Sequence, residues 1–136
     1  MWYEAEAYAK WLSATGGRKV RLPTEDEWLL AAQGDREREY PWGAGFDPAK
    51  ANTAESELGQ PTPVGMYPAG ASPCGALDMA GNVWEWTAAE EGGVRVLRGG
   101  SWGDIQDLAR CSFRLRYVPD LSSYRVGFRL VFPALS

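Results

Sequence analysis

Glycine governs what this chain can fold into. It closes both helix-like stretches, at Gly16-Gly17 and at Gly34, and then recurs so closely with proline that no run between Gly34 and Gly103 exceeds ten residues without one or the other. A chain broken this often supports tight turns and short strands rather than long helices. Seven tryptophans supply large apolar side chains around which such loops can pack. With 45% hydrophobic and 24% charged residues among 136, the sequence predicts one globular domain with a real core. The expected class is α+β, with two short helices, short antiparallel strands and much irregular loop.

Two segments carry helical periodicity. "WYEAEAYAKWLSATGG" places Ala5, Tyr8, Ala9 and Leu12 on one face and stops at the glycine pair. "VRLPTEDEWLLAAQG" offers Thr24 as N-cap, Glu27 three residues on as its capping-box partner, and Gly34 as the stop. Trp28, Leu29 and Ala32 would face the core from this second helix, Trp28 as packing. From Glu39 to Gly75 the chain is rich in Pro, Gly and small polar residues and reads as irregular. "NVWEWT" brings Val83, Trp84, Glu85 and Trp86 into a strand whose alternation separates two faces, and "GVRVLRGGSW" and "YRVGFRLVF" add further short strands.

Charge and composition exclude several functions. A net charge of −4 with no basic run lacks the footprint that phosphate-backbone binding needs, so nucleic acid is not an expected partner. No stretch has the apolar length of a membrane span, and the amino terminus shows no signal-peptide pattern, so a soluble chain is expected. The chain contains no histidine, which removes imidazole bases, Ser/His and Cys/His nucleophile pairs and imidazole metal sites. Cys74 and Cys111 are far apart and form no CxxC motif; they are expected as buried thiols or one structural bridge. Eleven arginines against three lysines, with Asn only at 52 and 82, fit a heat-adapted source.

Taken together, "WYEAEAYAKWL", "RLPTEDEWLLAA", "YPWGAGFDPAKANT", "TPVGMYPAGASPCGALDMAGNVWEWT", "RVLRGGSW" and "VGFRLV" resemble the formylglycine-generating-enzyme or sulfatase-modifying-factor domain over nearly the whole chain. The resemblance implies a C-type-lectin-like fold and, since such domains usually begin upstream of the first helix, the C-terminal part of a longer protein. It also implies where an enzyme's cysteine pair would stand. Those positions hold Asp104 and Ala109, and related iron-dependent sulfoxide synthases need histidines that the chain lacks. On that ground no enzyme and no required cofactor are expected; a formylglycine-generating-type oxidoreductase is the alternative. Calcium is the one metal the resemblance supports, through Asp78, the carbonyls of Gly81 and Val83, and Glu85, all hard oxygen donors. The competing expectation is that Glu85 and Asn82 pin the loop by hydrogen bonds.

Residues 99–129, "GGSWGDIQDLARCSFRLRYVPDLSSYRVGFR", are similar to the rewritten segment of variable proteins from diversity-generating retroelements. In such segments Gly, Trp, Arg and Pro persist while positions encoded by AAC codons are mutated at adenine, which never yields Trp, Met, Lys, Glu or Gln. The matching positions hold Gly103, Asp104, Ile105, Asp107, Leu108, Phe113, Leu115, Tyr117, Val118, Leu121, Ser123, Tyr124 and Arg125, none of the excluded types. Those types make up 27 of the 136 residues, so thirteen clear positions would arise by chance roughly one time in twenty. The resemblance implies a variable ligand-binding face, a protein or other macromolecular ligand, and a bacterial or phage source. An undiversified structural or binding homologue with an ordinary surface loop is the other expectation. In "SFRLRY", period two sets Phe113, Leu115 and Tyr117 opposite Arg114 and Arg116. The ordinary expectation buries the apolar set; a diversified segment should instead tie the arginines into the protein and leave the apolar set on the surface.

Overall fold

The computed structural model describes residues 1–134. Helix α1, Trp2–Gly16, ends where Gly17 turns left-handed at φ 63°, and α2, Glu25–Gln33, begins at Thr24, whose hydroxyl accepts from the Glu27 amide. The Glu27 carboxylate pairs with Arg21 at 2.9 Å. Four strands follow: β1 (Trp84–Glu91), β2 (Val94–Arg98), β3 (Leu115–Tyr117) and β4 (Val126–Phe128). They form one sheet in the order β3-β2-β1-β4. The β1–β2 and β2–β3 pairs are antiparallel, but β4 lies parallel to β1, with Trp84, Glu85 and Trp86 opposite Val126, Gly127 and Phe128. The sheet is therefore mixed, because β4 returns to the far side of β1 after the long excursion through β2 and β3. Between Glu39 and Gly75 only two short 3₁₀ turns interrupt irregular chain.

Packing corrects one expectation from periodicity. On α1, Trp2, Ala5 and Ala9 are buried, whereas Tyr8 is exposed and Leu12 half-buried. The helix lies with its first turn deepest, and Trp2 takes the place expected for Tyr8. On α2, Trp28 and Ala32 are buried and Leu29 is half-buried. In β1, which begins one residue after Val83, the expected alternation separates two faces and both are covered: Trp84, Glu85, Trp86 and Thr87 are all buried. Trp84 and Trp86 join Trp2, Leu22 and Leu97 in one cluster; Glu85 points the other way, towards Trp28 and Arg129.

A second cluster holds Trp28, Ala32, Met79 and Cys111, and a third holds Tyr40, Ala51, Ala80 and Ala109. Both cysteines are free, and only Cys111 is buried. The expectation of two buried or bridged thiols fails at Cys74, which lies at the surface and shares hydrogen-bond contact with Ser72. Burial pushes the Cys111 thiol up to about 11, so it is protonated and unreactive near neutral pH. Among the described residues no helix is long and apolar enough to cross a membrane.

Candidate functional site

Segment 99–129 leaves β2 through Gly99 and Gly100. Gly100 has φ +72°, and a Cβ there would sit 3.0 Å from the backbone of Ala109, so only glycine allows the two stretches to touch. The backbone beyond is held by groups outside the segment. Arg98, buried, donates to the carbonyls of Cys111 and Phe113 at 2.9 and 3.4 Å. Cys111 N–H donates to Glu39 O, Ala54 N–H to Asp104 O, Trp84 N–H to Arg125 O and Trp2 N–H to Pro119 O, each at 2.7–2.9 Å. Tyr40 Oη donates to Gln106 O at 3.1 Å, and Gln106 N–H donates to Glu55 at 2.8 Å. These bonds reach main-chain atoms, so they hold whatever side chain the segment carries.

None of the thirteen positions singled out in the sequence is buried. Ile105, Asp107, Tyr117, Val118, Ser123, Tyr124 and Arg125 are exposed, Tyr124 to 91%; Gly103, Asp104, Leu108, Phe113, Leu115 and Leu121 are half-buried. Ala109 and Cys111, which lie between them in sequence, are buried, as is Ser101 just before them. Trp84 draws one part of the set together. Its indole N–H donates to Asp104 at 2.8 Å, its ring lies 5.9 Å from that of Phe113, and its backbone N–H bonds Arg125. The Arg125 guanidinium covers the Trp102 ring at 4.9 Å and stands 3.9 Å from Asp104.

Arg114 and Arg116 form ion pairs but remain exposed, so burial along this strand runs opposite to that expected of a diversified segment. Arg114 bonds Glu25 and Glu91, Arg116 bonds Glu91 at 3.2 Å, and Arg98 joins the same Glu25 carboxylate. Burial pushes the Glu25 carboxyl up, but Arg114 and Arg98 together outweigh it and hold the carboxyl below its ordinary range. The apolar set divides: Tyr117 is exposed, while Phe113 and Leu115 pack half-buried against the Trp84 cluster. Glu25, in the first turn of α2, was not legible as a partner of this segment. Its only signal was its place in the capped, acidic first turn of α2.

The proposed calcium ligands are differently placed. Both oxygens of Glu85 are engaged: Oε2 accepts from Trp28 Nε1 at 2.6 Å, and Arg129 contacts both oxygens at 2.7 Å. Arg129 also donates to the carbonyls of Leu77 and Asp78 at 2.9 and 3.3 Å. The Asp78 carboxylate accepts from Gly65 N–H at 2.8 Å, and Asn82 Oδ1 accepts from Thr62 N–H at 2.9 Å. A guanidinium already satisfies the Glu85 charge, so Asp78, Gly81, Val83 and Glu85 do not fit calcium as a free ligand set. Nor do the described residues bring together three His, Cys, Asp or Glu side chains that could hold a metal.

Comparison with known proteins gives this geometry a context. The sequence profile of the sulfatase-modifying factor enzyme 1-like domain matches residues 1–134. A hercynine oxygenase of Mycolicibacterium thermoresistibile is 42% identical over 95% of this chain, which spans 34% of that enzyme. PvdO of Pseudomonas aeruginosa superposes with a TM-score of 0.84 at 27% identity, over 95% of this chain and 58% of PvdO. Treponema denticola variable protein 1 superposes with a TM-score of 0.68 at 27% identity, over 83% of this chain and 47% of that protein. The fold is thus the expected C-type-lectin-like one. The expectation of no enzyme is overturned: missing cysteines and histidines in this stretch do not separate it from a relative named as an oxygenase, two thirds of which lies outside the match.

Proposed function

The chain is a member of the sulfatase-modifying factor enzyme 1-like domain family, and we propose that it is a ligand-binding module whose segment 99–129 is rewritten by a diversity-generating retroelement. One observation carries the reading. The segment's backbone is held by residues outside it, while all thirteen candidate positions reach the surface. Such a segment can exchange side chains and keep its path. The likeness to a variable protein supports the same reading. Exposed Ile105, Tyr117, Val118 and Tyr124 suit a protein ligand, since aromatic and aliphatic anchors dominate such interfaces.

Neighbouring DNA tests this directly. A near-duplicate of the coding stretch for residues 99–129, with AAC codons at the thirteen positions and a reverse transcriptase gene beside it, is the expected finding. A locus with neither refutes diversification and leaves an ordinary binding loop.

The kinship to hercynine oxygenase favours a second reading, in which the same face presents a substrate within a longer oxidoreductase. The chain has no histidine, so metal ligands of that kind would come from outside residues 1–136. Oxygen uptake by the full-length protein with iron and hercynine would establish this reading; its absence would remove it.

A further inference from the structure

Asp104 sits at the recognition face, yet its carboxylate turns inward. Oδ2 accepts from the Trp84 indole N–H at 2.8 Å and from the Ser101 hydroxyl, and Oδ1 lies 3.9 Å from the Arg125 guanidinium. The two donors are deeply placed: Trp84 is 4% exposed and Ser101 is fully buried. Ser101 Oγ also accepts from Gly103 N–H at 3.3 Å, which leaves its hydrogen free to point at the carboxylate. Trp84 Nε1 has no other partner among the described residues. A buried indole N–H that loses its acceptor bears the full desolvation penalty of an unmade bond.

These donors do not depend on Asp104. Trp84 is held in β1 by its backbone bond to Arg125 and by its place in the core, and Ser101 follows the Gly99-Gly100 turn. We propose that Trp84 Nε1 and Ser101 Oγ form a standing carboxylate cradle in the recognition face, with Arg125, itself one of the thirteen positions, at its rim in this chain. In this chain it is filled by Asp104; when position 104 lacks an acceptor it is open to an aspartate or glutamate side chain of a protein ligand. An ionised acceptor suits it because charge-assisted bonds to buried donors are the stronger ones. The ligand's use of the cradle rests on the binding-module reading; the cradle itself rests on the geometry alone.

Chemical rescue tests it. Asp104→Gly removes the side chain and leaves space for acetate. Its Tm, below that of the parent, is expected to rise saturably with acetate, by roughly 4 °C at ten times the acetate Kd. Sodium chloride at equal ionic strength should not reproduce the rise, and the parent chain should show no such acetate-specific rise. The Trp84 indole N–H resonance should shift in the variant and move back with acetate. If the variant folds only in acetate, the cradle is supported. Acetate and chloride acting alike, on Tm or on recovery of folded protein, would overturn it. That failure would leave the retroelement reading standing, and a locus without a template repeat would leave the rescue standing.

Discussion

Replacing Arg98 by Met should lower stability by about 3 kcal/mol. Its side chain is 6% exposed, and it bonds Glu25 together with the carbonyls of Cys111 and Phe113. Each charge-assisted bond to a carbonyl contributes roughly 1.5 kcal/mol net. Loss of the Glu25 pair adds to that, though less than the 3–5 kcal/mol typical when a buried charge is left alone, because Arg114 still faces Glu25. Relief comes from Nε, a buried donor with no partner, whose removal regains about 1 kcal/mol. For a domain of this length the net loss corresponds to roughly 10 °C in Tm. Calorimetry at pH 7 with Arg116→Ala as control measures it; that exposed arginine should change Tm little.

The same carboxylate gives the experiment a second axis. Glu25 titrates below the usual 4.5 in the folded chain, so its contribution is complete above that value and is lost as pH falls through the folded pKa. The parent should therefore lose stability on acidification from about pH 5 to pH 3. Arg98→Met should lose less over the same window, since one of the two guanidiniums that depress Glu25 is gone. A variant within about 1 kcal/mol of the parent at neutral pH, with an unchanged acid slope, would refute the clasp and with it the reason the segment keeps its path.

Simultaneous substitution of Ile105, Asp107, Tyr117, Val118, Ser123 and Tyr124, all exposed, should leave Tm within a few degrees by differential scanning fluorimetry. Phe113→Ala with Leu115→Ala should cost more, because both side chains pack against the Trp84 cluster. Cys74 is expected to react with a thiol reagent in the folded state; Cys111, buried and shifted to about 11, should react only on unfolding. Arg129→Gln should destabilise by about 3 kcal/mol in urea unfolding, because it leaves the buried Glu85 carboxylate without its guanidinium. Calcium added to the chelator-treated parent should give no heat of binding by calorimetry, and a saturable signal there would refute the assignment of Glu85 to Arg129.

How much of this was legible in the sequence depended on whether a feature was local. Thr24 and Gly34 bound α2 because a cap needs only its own turn, and the glycine spacing foretold short strands because φ is a property of one residue. The parallel pairing of β4 with β1 was not legible, since residues 92–125 separate them and no periodicity encodes which edge is free. The parity of "SFRLRY" separated arginines from apolar residues correctly, but parity cannot say how deep either face lies. Depth came from Trp84, whose ring supports Phe113 while its N–H takes Asp104. A position can therefore be exposed enough to vary and still bear on the core. On the binding-module reading the thirteen positions should therefore not be equally free: exchange at Tyr124, 91% exposed, leaves the core untouched, whereas exchange at Asp104 must either supply another acceptor to Trp84 and Ser101 or leave them for a ligand to satisfy.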